Sequence, residues 1–467
     1  MEKLSERGVP CTCTPQTIDS PELKEACGVF ACSLESPMGL SPYLEKGLKA
    51  LQHRGEDGSG LVYLNSNNKL TVHKTTGLVQ DLFQPLEKDN MTSHLSLGHV
   101  RYGTSGKDKE DLVQPLVKKE SNLAIAFNGQ VETRGYKSDT ARLLDLFATF
   151  LEAFNSSQDK NVKEQLIEKL TRASSQEAFS VVALHDDFLY AYRDENGTRP
   201  LFMADVDIDG QKGIALASET CAFNQFEVSS ISEISPGGLV ILKSGKVVFD
   251  HAPQKNKKLF CAFEALYFSR EDSLYCQGKS YYDIRKEIGC ALARTDNHDG
   301  LPKIDLVIGV PQSGMPAALG YARQLGVHLE FGLIKSRYQG RSFIQPSEDQ
   351  RKRVLEEKLQ VQASVISGKH VLVVDDTLVR GHTMKHIVRM LRRAGAKSVH
   401  VRIGAPKIVS PCSKGVDTGR ETRLPASDFS ESGLRKHIGA DSLEFLRLEM
   451  LESVVGKSIC RACFLKA

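Results

Sequence analysis

Two adjacent carboxylates, Asp375 and Asp376, lie in the segment with the clearest chemical pattern. They follow an apolar run at residues 370–374, which is typical of a strand buried on both faces of a parallel sheet. A loop rich in hydroxyl groups and glycine comes next, at residues 377–383. Apolar residues at helical spacing then predict a helix, which Gly395 can end. That spacing is carried by Met384, Ile387, Val388 and Leu391.

This order of strand, loop and helix suits a phosphorylated sugar. Backbone N–H groups of the loop lie at a helix N-terminus, where the partial positive charge favours an anion, and the hydroxyls of Thr377 and Thr383 can add hydrogen bonds. Ligands of open α/β sheets bind at the carboxyl ends of the strands, where the two carboxylates lie. Carboxylates there can hold ribose hydroxyls or Mg²⁺, which prefers oxygen ligands.

Two other interpretations of the acidic pair remain open at this point. The acids can simply cap or solvate a structural strand–loop–helix unit. They can also belong to a phospho-receiver domain, which likewise has a strand that ends in two aspartates. A receiver, however, carries its acids near the start of the domain and has no loop such as residues 380–383 directly behind them.

A second candidate group is the thiol of Cys27, at the start of a predicted strand. A buried, inert cysteine is the commoner fate of a single thiol. The motifs that follow in order along the chain argue for a nucleophile instead. They lie at residues 51–55, 98–106, 128–129 and 138–139.

Four cysteines in the second half form a third candidate group. Cys460 and Cys463 have the Cys-x-x-Cys spacing, which is compatible with zinc, redox chemistry or an iron–sulfur cluster. No histidine pair at zinc-finger spacing accompanies them. Cys261 and Cys412 stand alone. We expect three further cysteines to be packed or surface thiols, namely Cys221, Cys276 and Cys290.

The elements that must position these groups change in type along the chain. Short apolar or alternating runs bounded by Gly, Asn or Asp predict strands at residues 95–99, 123–127, 180–184 and 188–192. Helical patterns interrupt them at residues 43–52 and 141–154. Runs of strands with segregated helices favour a layered α+β domain.

A second domain is predicted beyond a boundary marked by the turn at residues 235–238 and the basic stretch at 251–258. Nearly continuous apolar runs at residues 305–310 and 370–374 alternate with helical segments, which indicates an open α/β fold. The expected division is therefore residues 1–26, 27–250 and 258–467.

Composition narrows the class of protein. The chain has 467 residues, of which 40% are hydrophobic and 25% charged, and its net charge is +3. These values are typical of a globular protein and give no reason to expect nucleic acid or a membrane as partner. Residues 1–26 have neither the apolar core of a secretory signal nor the composition of a transit peptide, so we expect a cytoplasmic protein with reduced cysteines.

The segment around the acidic pair resembles the phosphoribosyl pyrophosphate (PRPP) motif of type I phosphoribosyltransferases. The resemblance implies that PRPP contacts Asp375, Asp376, Thr377, Val379, Arg380, Gly381 and Thr383. Residues 310–314 resemble the family's pyrophosphate loop, in which Ser313 matches a magnesium-associated hydroxyl. Residues 335–344 resemble its flexible loop, where Lys335, Arg337 and Arg341 suit the charge of pyrophosphate.

The first half resembles class II glutamine amidotransferases, whose N-terminal-nucleophile domain has αββα layers. The resemblance implies that Cys27 becomes the first residue once residues 1–26 are removed as a propeptide. A free α-amino group has a pKa of roughly 7.7–8.0 and can then accept the thiol proton. Asn128 and Gly129 would stabilise the oxyanion, Arg101 would bind the glutamine α-carboxylate, and Asp139 would pair with its α-ammonium group.

Three positions depart from that pattern. The usual histidine before the asparagine is Phe127, the usual glutamate after the glycine is Gln130, and Ala141 stands where a glutamate is common. None of these changes removes the nucleophile or the oxyanion donors, but they leave the activity of the glutaminase half open.

From Cys27 to Cys463 the chain resembles the amidophosphoribosyltransferase family. The resemblance implies a glutaminase whose ammonia displaces pyrophosphate from PRPP to give 5-phosphoribosylamine for purine synthesis. It further implies Mg²⁺, a [4Fe–4S] cluster on Cys261, Cys412, Cys460 and Cys463, a homotetramer, and feedback inhibition by purine nucleotides.

Two alternatives to this function were weighed. Glucosamine-6-phosphate synthase shares the glutaminase half, but it needs sugar-isomerase domains where this chain has the loop at residues 375–383. A glutaminase-impaired or inactive regulatory paralogue is the other alternative, and the changes at Phe127 and Gln130 are its support.

Overall fold

The computed structural model describes residues 27–86, 91–102, 110–175, 177–253, 258–275, 278–297, 300–335, 359–412, 414–416, 424 and 429–466. The strands of the first half, in chain order, are β1 Gly28–Gly39, β2 Gly58–Leu64, β3 Leu70–Thr75, β4 Thr92–Arg101, β5 Leu116–Lys118, β6 Leu123–Gln130, β7 Ala178–His185, β8 Phe188–Arg193, β9 Phe202–Ile208, β10 Gln211–Ala217, β11 Glu227–Glu233, β12 Leu239–Lys243 and β13 Lys246–His251. The helices of this half are α1 Ser41–Ala50, α2 Val79–Phe83, α3 Asp139–Ser156 and α4 Lys160–Ala173.

These strands form two antiparallel sheets. The first sheet has the order β11-β9-β10-β1-β4-β2-β3, and the second has the order β13-β12-β8-β7-β6-β5. Because side chains alternate along a strand, each sheet has an inner and an outer face. Val29 and Ala31 of β1 lie in the apolar layer between the sheets, together with Ala124 and Ala126 of β6.

The outer faces are covered by helices. Phe30 and Cys32 of β1 pack in the cluster that contains α1 and α2 residues, and Ile125 and Phe127 of β6 pack in the cluster formed with α3 and α4. The layers are therefore helix, sheet, sheet, helix, which confirms the predicted αββα class.

The strands and helices predicted for this half are present, each longer than or shifted from the predicted run by a few residues. Residues 95–99 form the middle of β4, and residues 141–154 lie within α3. The turn at residues 235–238 is not a domain boundary, because β12 and β13 follow it and complete the second sheet. A turn rich in proline and glycine marks a reversal inside a sandwich as readily as a linker.

The second half contains β14 Phe260–Cys261, β15 Leu306–Gly309, β16 Leu333–Lys335, β17 Leu359–Val361, β18 His370–Asp375, β19 Ser398–Ile403, β20 Ser442–Phe445 and β21 Ile459–Cys460. Its helices are α5 Tyr281–Thr295, α6 Met315–Leu325, α7 Ala363–Ile366, α8 His382–Arg393, α9 Glu431–Ile438 and α10 Leu448–Val455. None of the helices in the described part of the chain combines the length and apolar character needed to cross a membrane.

A parallel sheet with the order β15-β18-β19-β20 forms the centre of this half. Val371, Leu372, Val373 and Val374 of β18 are fully buried, as expected for a strand covered on both faces. The sheet confirms the predicted α/β class. Its strand order places the carboxyl ends of β15 and β18 side by side, so the loops that follow them meet at one edge.

The two halves are joined by the main chain around β14. The N–H of Leu259 donates to the carbonyl oxygen of Asn196 at 2.7 Å, and the N–H of Cys261 donates to that of Thr198 at 3.2 Å. β14 also pairs in parallel with β21, so the C-terminal segment returns to this junction.

Candidate active sites

The pleat of β1, β4 and β6 brings the proposed glutaminase residues to one end of the space between the sheets. Cys27 directly precedes β1 and has the same parity as the inward-facing Val29. The register that pairs Gly28 with Val100 places Cys27 beside Arg101. Asn128 has the parity of the inward-facing Ala126 on β6. The nucleophile candidate, the arginine and the amide therefore face the same region.

The side chain of Asn128 gives the clearest structural support for the proposed glutaminase site. Its side chain is 1% exposed, and its Nδ2 has no hydrogen-bond partner among the residues that the structure describes. A buried amide donor left unpaired costs stability, so native proteins retain one where function needs it. An N–H group held ready in a buried space is what an oxyanion requires.

The next residue, Gly129, has to be glycine. Its φ is +138°, and a Cβ added there would lie 2.1 Å from the carbonyl oxygen of Ala178. The tight approach of β6 and β7 at this point fixes the main chain that carries the two proposed oxyanion donors.

Arg101 and Asp139 lie at the rim of the same region. Arg101 is the last residue of β4, and Asp139 is the first residue of α3, whose N-cap Ser138 accepts a hydrogen bond of 3.1 Å from the N–H of Ala141. Burial raises the pKa of Asp139, whereas the N–H of Thr140 and the charge of Arg101 act in the opposite direction. A free amino acid offers one carboxylate and one ammonium group, which complement this pair of charges.

His99 was not singled out from the sequence, although it lies inside the motif at residues 98–106. It is fully buried, and its Nε2 lies 3.2 Å from the carbonyl oxygen of Phe127. Since a carbonyl only accepts, Nε2 carries the proton, and Nδ1 of His99 has no hydrogen-bond partner within the described residues. Burial lowers the pKa of His99 to about 3, so the ring is neutral.

Arg54 lies in the motif at residues 51–55, but the sequence did not predict a role for it. Its Nε donates a hydrogen bond of 3.0 Å to the carbonyl oxygen of Cys27. The guanidinium is buried and also donates to the carboxylates of Glu219 and Glu264. The motif itself does not indicate these partners, because Glu219 and Glu264 lie far from Arg54 along the chain.

One of the departures from the family pattern, Phe127, lies away from this space. The Phe127 side chain packs against α3 and α4, on the face of β6 opposite to Asn128. Gln130 is exposed, and Ala141 is half-buried in the first turn of α3. The change at Phe127 therefore alters the helix-facing core and leaves the thiol and amide in place.

The acidic pair lies at the carboxyl end of β18, as predicted. Asp375 is its last residue, and both carboxyl groups are nearly buried. Burial and the neighbouring Asp376 raise the pKa of Asp375 well above its usual value, and burial also raises that of Asp376. Two ionised carboxylates this close repel, so a bound cation would stabilise the charged pair.

The loop after β15 closes over the same edge. The Ser313 hydroxyl hydrogen-bonds to Asp376, and the N–H of Val310 donates to the carbonyl oxygen of Val374 at 3.0 Å. Gly314 precedes α6, and a Cβ there would lie 2.9 Å from the same Val374 oxygen. Oxygen donors from both loops thus converge, which fits the ligand preference of Mg²⁺.

The loop at residues 377–383 leads into α8 as expected. Val379 and Arg380 are buried, Gly381 adopts a φ of +76° just before the helix, and Thr383 is half-buried within its first turn. The Thr377 hydroxyl donates to Asp376 at 2.6 Å. Lys335 ends β16 and its side chain is exposed. Arg337 and Arg341 lie outside the described residues.

Arg285 of α5 is a further missed residue at this site. It is buried, and it donates to the carbonyl oxygens of Ala265 at 3.1 Å and Ser269 at 2.6 Å. Burial lowers the pKa of Arg285, and its charge in turn acts to lower the pKa of Asp376. The sequence did not predict that Arg285 lies near Asp376, because an arginine on an amphipathic helix is usually exposed.

The four cysteines of the second half come together from three segments. Cys261 and Cys460 are register partners of β14 and β21, and Cys463 hydrogen-bonds to Cys412, which lowers the pKa of Cys412 to about 6. Among the residues that the structure describes, no three metal-ligating side chains are already placed around one point. The thiols would therefore have to turn toward one another to bind a metal together.

Arg199 lies beside these thiols. It is buried, and the Coulombic interaction with Cys261 and Cys412 raises its pKa, although burial acts against this. Its Nη2 donates to the carbonyl oxygen of Lys414 at 2.9 Å, and its Nη1 forms an ion pair of 3.5 Å with Glu264. Its Nε has no hydrogen-bond partner among the described residues, and a buried cation with such a donor fits an anionic group held by thiolates. Of the other cysteines, Cys221 is buried, Cys290 is half-buried, and Cys276 lies outside the described residues.

Known proteins are similar to this chain over both of its halves. The family model of the phosphoribosyl transferase domain matches residues 277–409. The amidophosphoribosyltransferase of Methanocaldococcus jannaschii is 35% identical, over 94% of this chain and 96% of its own length.

Solved structures match over the same extent. The glutamine PRPP amidotransferase from B. subtilis, complexed with ADP and GMP, superimposes with a TM-score of 0.78 and 33% identity, covering 94% of this chain and 96% of that one. A structure described as the allosteric regulatory enzyme of purine biosynthesis gives a TM-score of 0.80 and 34% identity, covering 94% and 95%. The chain belongs to the amidophosphoribosyltransferase family.

Proposed function

We propose that the chain hydrolyses glutamine at Cys27 and transfers the ammonia to PRPP held at residues 375–383, giving 5-phosphoribosylamine for purine synthesis. The observation that carries most weight is the buried and unpartnered Asn128 amide, which faces the same space as Cys27. It supports an active glutaminase over an impaired paralogue, as does the outward position of the Phe127 side chain.

Glutamine hydrolysis follows from the residues around Cys27. The sulfur attacks the amide carbon to form a thioester, and the developing oxyanion accepts hydrogen bonds from Asn128 Nδ2 and the N–H of Gly129. The C–N bond breaks and ammonia leaves with a proton, after which water hydrolyses the thioester to glutamate. Arg101 and Asp139 hold the substrate by its α-carboxylate and α-ammonium groups.

The proton of the thiol needs a base. Removal of residues 1–26 would give Cys27 a free α-amino group, with a pKa of roughly 7.7–8.0, that can accept it. His99 is unsuited to this role because burial keeps its pKa near 3. Residues 1–26 lie outside the described part of the chain, so their removal is a prediction from the chemistry.

The transfer step takes place at the edge of the parallel sheet. The nitrogen lone pair of ammonia attacks C1 of PRPP, the bond from C1 to the pyrophosphate oxygen breaks, and the nitrogen then loses a proton. Main-chain N–H groups of residues 377–383 bind the 5-phosphate, and Asp375 and Asp376 hold the ribose hydroxyls. Bound Mg²⁺ would neutralise charge on the departing pyrophosphate; Asp375, Asp376 and Ser313 are its proposed ligands.

We assign Cys261, Cys412, Cys460 and Cys463 to a [4Fe–4S] cluster with a structural role. Four thiolates also suit zinc, but the buried Arg199 cation, whose Nε has no hydrogen-bond partner among the described residues, suits a cluster whose sulfur atoms accept hydrogen bonds. The cluster would hold β21 and the segment at residues 409–412 against β14.

The remaining proposals concern the whole molecule. The glutaminase unit spans residues 27–250 and the phosphoribosyltransferase unit residues 258–467. The enzyme acts in the cytoplasm as a homotetramer, and purine nucleotides inhibit it. The B. subtilis relative was solved in complex with ADP and GMP, and this supports the proposed nucleotide binding in the present chain.

Measuring PRPP consumption separately with glutamine and with ammonia tests the function. We expect turnover with both nitrogen sources. Turnover with neither would refute the proposal, and turnover with ammonia alone would indicate the glutaminase-impaired paralogue. Intact-mass analysis with iron and sulfide determination tests the loss of residues 1–26 and the cluster in the same sample.

A further inference from the structure

The segment between the two sites contains a fully buried carboxylate, Glu264. It begins a π-helical turn, Glu264–Phe268, directly after β14. Its carboxylate accepts hydrogen bonds from Arg54 at 2.8 and 3.0 Å and from the Ser269 hydroxyl at 3.0 Å. Nη1 of Arg199 lies 3.5 Å from Oε1 of the same carboxylate.

Arg54 connects this carboxylate to the nucleophile residue. Two of its nitrogens, Nη1 and Nη2, bind Glu264, while Nε donates to the carbonyl oxygen of Cys27. A guanidinium is planar and rigid, so its three nitrogens hold their partners in one fixed arrangement. The carbonyl of Cys27 is therefore held at a fixed position relative to Glu264.

The charges favour this arrangement. Burial by itself would raise the pKa of Glu264, but the charge and hydrogen bonds of Arg54 outweigh it and hold that pKa below its usual value. Glu219 of the first half also binds Arg54, and it accepts from Ser273 at 2.8 Å and from the N–H of Arg270 at 2.8 Å. Carboxylates from both halves thus fix one arginine behind Cys27.

We infer that Glu264 is a positioning residue for glutamine hydrolysis, acting from the second half of the chain through Arg54 on the main chain of Cys27. The inference rests on the proposed function and adds to it a residue that touches neither substrate. Fixing the carbonyl of Cys27 orients the rest of that residue, and with it the thiol and the α-amino group that removal of residues 1–26 would expose. A displacement of about 1 Å at a reacting group can cost on the order of 100-fold in rate.

The variant Glu264→Gln tests the inference because it keeps the shape but removes the charge. Its amide can accept from one Arg54 nitrogen only, and its own NH₂ group faces the other, so Arg54 should turn toward Glu219. We expect kcat for glutamine to fall about 10- to 100-fold, with the KM for glutamine changed less than about twofold, because Arg101 and Asp139 are untouched. Ammonia-dependent turnover should stay within about twofold, since Arg285 is held by main-chain oxygens of this segment, not by Glu264.

Glu233→Gln is the matched control. Glu233 binds the buried Arg193 at 2.8 Å in the first half, and it makes no contact with Cys27 or Arg54 among the hydrogen bonds described. The Glu233→Gln variant removes a carboxylate charge beside a buried arginine and leaves Cys27 unaffected. Both activities should persist in this variant.

Three results would contradict the positioning role. Glutamine-dependent kcat could stay unchanged in Glu264→Gln, or both activities could fall together with the thermal midpoint, which is the signature of a merely structural ion pair. If Glu264→Gln does not fold, Arg54→Lys decides: lysine keeps the charge but cannot reach Cys27 and Glu264 together, so unchanged glutamine turnover there also refutes the inference. Wild-type protein without glutamine turnover would refute the proposed function itself, which separates the two failures.

Discussion

Nε2 of His99 lies 3.2 Å from the carbonyl oxygen of Phe127, and this bond joins the two sheets beside the nucleophile. His99 is on β4, two residues before Arg101 at the strand end, whereas Phe127 precedes the proposed oxyanion donors on β6. A neutral ring thus links the strand of the proposed glutamine-binding arginine to the strand of the proposed oxyanion donors.

Replacing His99 should change the pH dependence of stability. The folded protein holds its pKa near 3, below the unfolded value of about 6.5, so the folded state favours the neutral ring. That contribution is complete above about pH 6.5 and is lost as pH falls toward 3, by about 1.4 kcal/mol per pH unit. In His99→Gln we expect a shallower loss of unfolding free energy between pH 6.5 and 4 than in the wild type, measured by urea denaturation. Equal slopes for both proteins would show that His99 is protonated normally in the folded state.

Asn128→Ala should separate catalysis from stability. Since Nδ2 has no hydrogen-bond partner in the described part of the chain, its removal breaks no bond that the structure shows for that group, and the unfolding free energy should change by no more than about 1 kcal/mol. The loss of an oxyanion donor should lower glutamine-dependent kcat by about 10²- to 10³-fold. Ammonia-dependent turnover serves as the internal control and should be unaffected. Retention of full glutaminase activity would remove Asn128 from the proposed mechanism.

The proposed site residues could be predicted, because they lie in short motifs that resemble those of a known family. Cys27, Asn128 and Arg101 follow from that resemblance, and alternation along β1, β4 and β6 places them on inward faces. Asp375 and Asp376 followed from a buried strand and the loop behind it.

The residues that hold them in place could not be predicted from local patterns. Arg54 is fixed by Glu219 and Glu264, which lie 165 and 210 positions away along the chain. Arg285 faces Asp376 only because α5 packs beside the end of β18. Such contacts depend on the tertiary arrangement, and the charge of an isolated residue carries no information about its distant partner.

Neutralising Asp375 should stabilise the resting protein and abolish PRPP chemistry. The folded state raises the pKa of this carboxyl through burial and the neighbouring Asp376, so its stabilising contribution is present in acid and is lost as pH rises through the folded pKa. Above the unfolded pKa this carboxyl therefore lowers the free energy of unfolding, and Asp375→Asn, which has no ionisable group at this position, should be more stable than the wild type at pH 7.5.

Thermal melts with and without Mg²⁺ and PRPP provide the measurement. The wild type should gain stability on adding both, because a cation offsets the repulsion of the pair, whereas Asp375→Asn should start higher and gain less. Turnover should be lost in the variant with glutamine and with ammonia alike. If the variant melts at a lower temperature than the wild type without ligands, burial and charge repulsion at Asp375 do not destabilise the wild type.

We expect a metal bound by the four cysteines to stabilise the C-terminal segment of the chain. Cys460 follows Ile459 in β21, whose pairing with β14 brings the chain end back to the junction. Cys460→Ser should lower iron and sulfide per chain and lower the thermal midpoint, because β21 would lose its covalent link to the segment at residues 409–412. Cys290→Ser is the matched control: this half-buried thiol contacts the carbonyl oxygen of Gly320 at 3.3 Å and should leave the iron content unchanged. Zinc in place of iron and sulfide in the wild type would reassign the group to a structural zinc site. An unchanged metal content in Cys460→Ser would exclude Cys460 as a ligand of either metal.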